Sequence, residues 1–351
     1  PPGSSDRDFY HRFSTHIPSA GYATTTSLIW TKHFDNERIM AVKSPDVPYV
    51  DESSLPDPSQ PQADFLDTSF FQRTSKERCE LPSPASVLEK DARGGGRGTV
   101  AFPELNLLVK FDEAVYLRFD EAVTMRAIRQ IFRHDEIPVP EIFGWRTYGT
   151  MNFIYMSLIH GKTLRDAWPS LTESDITKIC TQLSHVVSSL RSITRGSTQK
   201  VIGSISGGPV TDKYFKPDYE GGPFANAHDF HDWVYAAATR QQPGPDMVIP
   251  EPYQAYRDSF DDQSKIYLTH GDLTLGNIIV ACAAGSWKIV GIVDWEQSGW
   301  YPEYWEYCKL YFGVESHHQW RKAGWADKVI PGACFDQVFL ALAEYTSWRG
   351  F

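Results

Sequence analysis

An aspartate and an asparagine, Asp272 and Asn277, share the short stretch "HGDLTLGN" between apolar flanks, and a second aspartate, Asp294, ends the apolar run "KIVGIV" that follows. Carboxylate and amide oxygens are the ligands that Mg²⁺ prefers, so these three side chains can hold a hard cation. Asp272 can instead accept or orient the proton of a reacting hydroxyl, which leaves Asn277 and Asp294 to the metal. That division of labour suits phosphoryl transfer, in which positioning and charge neutralisation matter more than covalent chemistry.

Such a reaction also needs a cation on the nucleotide phosphates. Lys110 lies in "LLVKF" among apolar neighbours, where an ammonium requires an anionic partner, and Glu121 on the following segment can supply it. The turn "RGGGRG", with Gly95 and Gly96 at its centre, comes just before and offers backbone amides that can approach phosphate oxygens. A plain flexible loop is the other reading of that turn.

The elements that must position these groups are visible as patterns. "LPSPASVLEK" starts a short helix, and "TVAF" and "LNLLVKF" read as two strands around the turn "PEL". "RFDEAVTMRAIRQIF" carries apolar residues near helical spacing and closes at the proline-bounded "EIPVPEIFGW". "NFIYMSLIHG" is a further strand. Ile176, Ile179, Cys180, Leu183, Val186, Val187, Leu190 and Ile193 then recur at helical steps behind Thr172 and Asp175, which act as caps. Residues Gly203 to Pro252 read as loop-rich, and "NIIVACA" and "WKIVGIVDW" as a hairpin that returns Asp294 to the Asp272 loop.

With these residues in hand, "HGDLTLGN" resembles the H-G-D-x-x-x-x-N catalytic loop of the aminoglycoside phosphotransferase and choline kinase superfamily, relatives of the protein kinases. "IVDWEQSGWYPEYWEYCK" is similar to the metal-binding segment of its fungal branch, and the similarity runs in consistent order from about Leu81 to Lys309. The resemblance implies an α+β, protein kinase-like bilobal fold. An N-terminal extension would occupy 1–80, a small antiparallel nucleotide-binding lobe 81–160, and a larger, mainly helical lobe 161–351.

It further implies Asp272 as catalytic base with His270 bracing the loop, Asn277 and Asp294 as Mg²⁺ ligands, and Lys110 as the lysine on the ATP phosphates with Glu121 as its partner. Met156 would be the gatekeeper, with backbone groups of Ser157 and Ile159 on the adenine edge. Glu296 stands where protein kinases carry glycine, so protein-kinase activation-loop switching is not implied. Trp233, Trp300, Tyr301, Tyr304 and Trp305, with the acids Asp229, Asp232, Glu303 and Glu306, fall where the superfamily builds its acceptor pocket. Packed as core they would be structural; exposed, with Asp232, Glu296, Trp300 and Glu303 foremost, they would suit a cationic acceptor. A catalytically silent ligand-binding or interaction protein of the same fold is the competing class, and intact Asp272, Asn277, Asp294 and Lys110 weigh against it.

Composition bounds these readings. The 351 residues carry 34 basic and 44 acidic side chains, a formal charge of -10, which disfavours non-specific nucleic-acid binding. Five scattered cysteines form no CxxC pair and read as reduced thiols, mostly buried, without a zinc site. No apolar run reaches membrane-spanning length and the first residues lack a signal peptide's apolar segment, so a cytoplasmic protein without a membrane partner is expected. The five prolines between Pro45 and Asp64 read as a linker or a surface-hugging extended segment.

Overall fold

The computed structural model describes residues 47–73, 80–92, 94–132, 136–195, 202–212, 221–239, 241, 244, 247–251, 253–332 and 335–348. The strand-like run at 23–30 and the cysteines Cys79 and Cys334 lie outside the described residues. Of the others, Cys180 and Cys308 are buried thiols and Cys282 is an exposed one.

In chain order the elements are β1 (Tyr49–Val50), β2 (Gln62–Asp64), α1 (Pro84–Lys90), β3 (Gly98–Phe102), β4 (Leu107–Glu113), α2 (Asp120–Ile131), β5 (Ile142–Tyr148) and β6 (Met151–Ser157). Then come β7 (Lys162–Thr163), α3 (Glu173–Ser192), β8 (Thr194–Arg195), α4 (Ala227–Thr239), β9 (Ile266–Thr269), β10 (Ile278–Ala283), β11 (Ser286–Ile292), β12 (Gly299–Pro302), α5 (Trp305–Phe312) and α6 (Asp336–Trp348). The first lobe is a five-stranded antiparallel sheet in the order β2-β5-β6-β4-β3, with α2 on one face. The second is built on α3, α4, α5 and α6 with the small sheets β11-β10-β7 and β12-β9. This is the α+β, kinase-like two-lobed arrangement that the resemblance implies.

Alternation along the strands decides which way Lys110 points. Leu107, Val109 and Phe111 of β4, with Phe153 and Tyr155 of β6, bury themselves on the outer face of the sheet against Val87 of α1. With a side-chain period of two, Leu108 and Lys110 take the opposite face, shared with Ile154 and Met156 and turned toward α2. A one-residue slip would bury the ammonium among phenylalanines.

Helix α3 is the main scaffold of the second lobe. Thr172 and Asp175 form a full capping box at its start, and its buried stripe runs from Ile176 to Leu190. Each fully buried aliphatic side chain on that stripe contributes roughly 1.5–3 kcal/mol. The region 203–252 is less loop-like than its glycines and prolines indicate. It contains α4, where Phe230, Trp233, Val234 and Ala237 at helical spacing are buried. The proline-rich stretch ends in an extended segment, one of its two expected forms: Gln62–Asp64 form β2, an edge strand of the first lobe's sheet.

Candidate active site

Lys110 is the centre of a charged group drawn from three separate stretches of chain. Its Nζ donates to both oxygens of Glu121 (3.0 and 2.8 Å), to Oδ1 of Asp294 (2.6 Å) and to Oε2 of Glu296 (3.1 Å). Burial opposes the ammonium charge, but Glu121, Asp294 and Glu296 together overcome it and hold Lys110 above its ordinary range. Glu121 is pushed up to about 7: burial raises it, Lys110 pulls it back, and Asp294 and Glu296 raise it again.

Asp294 takes its place through an unusual backbone conformation. It lies in the left-handed region at φ 67°, a conformation that short polar side chains tolerate better than most and that tends to persist where a site requires it. This bend ends the hairpin strand and turns the carboxylate toward Lys110.

The loop from His270 to Asn277 is closed by its own hydrogen bonds. The Asn277 amide, Nδ2, donates to the Asp272 backbone carbonyl (2.9 Å) and to the Asp272 carboxylate (3.0 Å), and the Thr274 N–H donates to the same carbonyl (2.7 Å). His270 Nδ1 accepts from the Asp272 N–H (3.0 Å), so its proton resides on Nε2, which faces the Val293 carbonyl at 3.2 Å. Its imidazole is fully buried against Trp295 at 4.4 Å, and burial first of all pushes it down to about 4, so it braces the loop as a neutral ring. Gly271 is required: at φ +78° a Cβ would stand 2.7 Å from the Gln297 carbonyl.

A second carboxylate acts beneath this loop. Glu306, on α5, accepts the N–H of His270 (2.7 Å) and of Gly271 (3.4 Å) while buried in the core. Sequence reasoning set it among acids facing an acceptor's ammonium; the structure instead turns it onto the loop backbone. Nearby, Lys309 reaches Asp212 (2.7 Å) and Gln297 (3.0 Å). An acid and a lysine one helical turn apart in the otherwise apolar "WEYCK" were the available signal.

Burial pushes the Glu306 carboxyl up from 4.5 to about 7, against the pull of the His270 and Gly271 amides, Arg191 and Lys309. The folded state therefore holds a proton that the unfolded chain has lost, and the stability this confers disappears as pH rises from about 4.5 through about 7. Glu306→Gln keeps an acceptor oxygen and abolishes the titration. Thermal melts from about pH 5 to about pH 8 should show the variant gaining on the unsubstituted protein, by up to about 3 kcal/mol. A gap that stays constant with pH would refute this account.

The remaining candidates are distributed as follows. Gly95 and Gly96 lie in an exposed turn leading into β3, whose Thr99 is paired with Lys110. Met156 is buried beside Leu108 on the Lys110 face of the sheet. The Ser157 N–H is committed to the Glu141 carbonyl (2.8 Å) and the Leu158 N–H to the Asn106 carbonyl (3.1 Å). Ile159 is half-buried and packs toward Gly291.

Of the four acceptor-pocket candidates, only Glu296 is brought to Lys110. Asp232 is instead held by Arg257 (2.8 Å) and His228 (3.3 Å). Trp300 is buried under the Arg195 guanidinium, and Glu303 binds Lys265 and Arg191 through its backbone. Trp233, Tyr301, Tyr304 and Trp305 are core residues: Tyr301 stacks on Trp305, and the group meets Phe224, Phe230 and Phe260 in tilted or edge-on contacts. Aromatic volume and apolar surface favoured burial over solvent.

Oxygen atoms of Glu121, Asp294 and Glu296 lie within 4.8 Å of one another, and three carboxylates facing one ammonium leave a negative surplus. This all-oxygen donor set fits a hard divalent cation such as Mg²⁺. Among the described residues no helix is long and apolar enough to cross a membrane.

The sequence model of the phosphotransferase enzyme family matches residues 97–345. No curated protein sequence matches the chain. Among solved structures, it is similar to a thermostable mutant of aminoglycoside phosphotransferase APH(4)-Ia in ternary complex with ADP and hygromycin B, at 14% identity and TM-score 0.43, over 73% of this chain and 78% of that one. It is also similar to aminoglycoside-3'-phosphotransferase of type VIII, at 12% identity and TM-score 0.44, over 75% and 98%. A third is the GDP complex of aminoglycoside 2'-phosphotransferase-IIIa, at 11% identity and TM-score 0.46, over 76% and 87%.

Proposed function

This chain belongs to the phosphotransferase enzyme family, and from that premise we propose that it transfers the γ-phosphoryl group of ATP, with Mg²⁺, to a hydroxyl of a small molecule. The observation that carries the reading is the convergence of Lys110 with Glu121, Asp294 and Glu296, alongside a loop in which Asn277 fixes the Asp272 carboxylate.

Each residue then has a task that its chemistry suits. Lys110 binds phosphate oxygens, releasing Asp294 and Glu296 as it does so and keeping Glu121 as its counter-ion. Asp294, Glu296 and the amide oxygen of Asn277 would hold Mg²⁺, which when bound neutralises charge on the phosphate oxygens. Asp272 orients the acceptor hydroxyl and takes its proton as the phosphate is transferred. His270 and Glu306 keep the loop in place from below.

The acceptor is a hydroxyl compound of a class that these residues leave open. The cationic preference expected from Asp232, Trp300 and Glu303 draws no support from their positions in ion pairs and core. An ATP-consumption screen over amino alcohols, aminoglycosides and sugars, with Asp272→Ala as the blank, tests the reading. ADP formation that depends on both an acceptor and Asp272 is the expected result. No turnover with any class, combined with no Mg²⁺-dependent stabilisation by ATP in a thermal-shift titration, would favour a silent binding protein of the same fold.

A further inference from the structure

Residues 49–67 lie outside the span that the family model matches, yet they touch both lobes. At one end Tyr49 and Val50 pair in parallel with Thr194 and Arg195, directly after α3, and Glu52 reaches Arg195 at 3.6 Å. At the other end β2 joins the edge of the first lobe's sheet beside β5. There Trp145 Nε1 donates to the Gln60 carbonyl (2.9 Å) and the Thr147 N–H to the Pro61 carbonyl (2.7 Å). The approach is close enough to exclude a side chain: a Cβ on Gly144 would stand 2.3 Å from the Ala63 carbonyl.

Beyond β2 the chain passes over α2 and grips it. The Arg126 guanidinium of α2 lies 4.0 Å from the centre of the Phe65 ring, and its Nη2 is 2.9 Å from each oxygen of Asp67. Phe65 also meets Trp145 edge-on at 5.3 Å, and Trp145 stacks at 5.0 Å on Phe119, the residue that precedes α2. The helix is thus held in its body through Arg126 and at its first turn through Phe119. Glu121 lies between these two grips. On the far side of α2, Thr124 and Ser298 join hydroxyls at 3.0 Å, which ties the helix to the segment after Asp294.

We propose that Phe65 and Asp67 are positioning residues: by gripping Arg126 they set α2 so that Glu121 stays on Lys110. A buried carboxylate tolerates its site only while its cation is in reach, so a small displacement of α2 favours a state in which Glu121 has left Lys110 for solvent. The strap biases that equilibrium from outside the family's matched span. Its consequence for catalysis rests on the phosphotransferase reading, whereas the positioning itself can be read without any nucleotide.

The test is acylation of lysines by an amine-reactive ester on the full, nucleotide-free chain, followed by peptide mass spectrometry. Lys110, enclosed by three carboxylates, reacts slowly when the strap is seated. Lys309, buried on Asp212 in the second lobe, reports any general loosening. Asp67→Arg, a change at an exposed side chain, should raise Lys110 labelling about threefold and leave Lys309 unchanged. Phe65→Ala should do the same, whereas Asp67→Glu, which keeps a carboxylate for Arg126 and leaves the Phe65 contact intact, should retain slow labelling. Unchanged Lys110 labelling in both Asp67→Arg and Phe65→Ala, or a rise that Lys309 shares, overturns the proposal. Protection of Lys110 by Mg²⁺ and ATP in the unsubstituted protein is a separate arm: its failure counts against the phosphotransferase reading and leaves the strap result standing.

Discussion

Asp272→Ala is expected to lower acceptor-dependent ATP turnover by about 10³-fold, within the range for loss of a positioned general base, while leaving the KM for ATP and the melting temperature close to those of the unsubstituted protein. The separation follows from how the loop is built. The Asp272 carbonyl takes hydrogen bonds from Thr274 and Asn277, and its N–H donates to His270; these three survive the substitution, whereas the Asn277 contact to the carboxylate is lost. Alanine therefore removes the proton acceptor and retains the loop. Steady-state kinetics beside a thermal melt decide the matter, and a variant with more than about a tenth of normal turnover would remove Asp272 from the chemistry.

Lys110→Met should fail differently, losing turnover and stability together. Its ammonium is the cation shared by Glu121, Asp294 and Glu296, and Glu121 is buried. Stranding a buried carboxylate in this way costs about 3–5 kcal/mol. Lys110 is also what pulls the Glu121 carboxyl down toward about 7, so without it that carboxyl rises further above its unfolded value of 4.5. An acid whose folded value is raised contributes stability below the unfolded value and loses it as pH climbs toward the folded one. The stability gap between the two proteins should accordingly stay level up to about pH 7, where both lose stability in parallel, and widen above it by about 1.4 kcal/mol per pH unit. Urea denaturation at several pH values reads this directly, and a gap of one size throughout would show that the loss is packing of the methylene stem.

These two variants bear on different kinds of information in the chain. The Asp272 loop is local: its closing hydrogen bonds join residues within one short stretch, so residue types and spacing already imply the arrangement. The same holds for α3, whose Thr172–Asp175 capping box and buried stripe are written in its own periodicity. It holds too for β4, where alternation alone sends Lys110 to the face opposite Leu107, Val109 and Phe111. Helix α4 was harder to see because its apolar repeat sits between glycine- and proline-rich flanks that read as loop.

What the sequence determined by itself was thus each element's own geometry: the short-range hydrogen bonds, caps and burial periods that set which side chains a loop, helix or strand presents. Tertiary structure alone decided which of those side chains met. It brought Glu296 onto Lys110, turned Glu306 under the loop instead of toward an acceptor, and buried Trp300 in the core. It also laid Phe65 and Asp67 across α2. The physical reason is that such contacts join residues far apart in the chain. Their formation depends on how apolar faces pack and on which charges can be left without water, and neither is encoded in the spacing of neighbours.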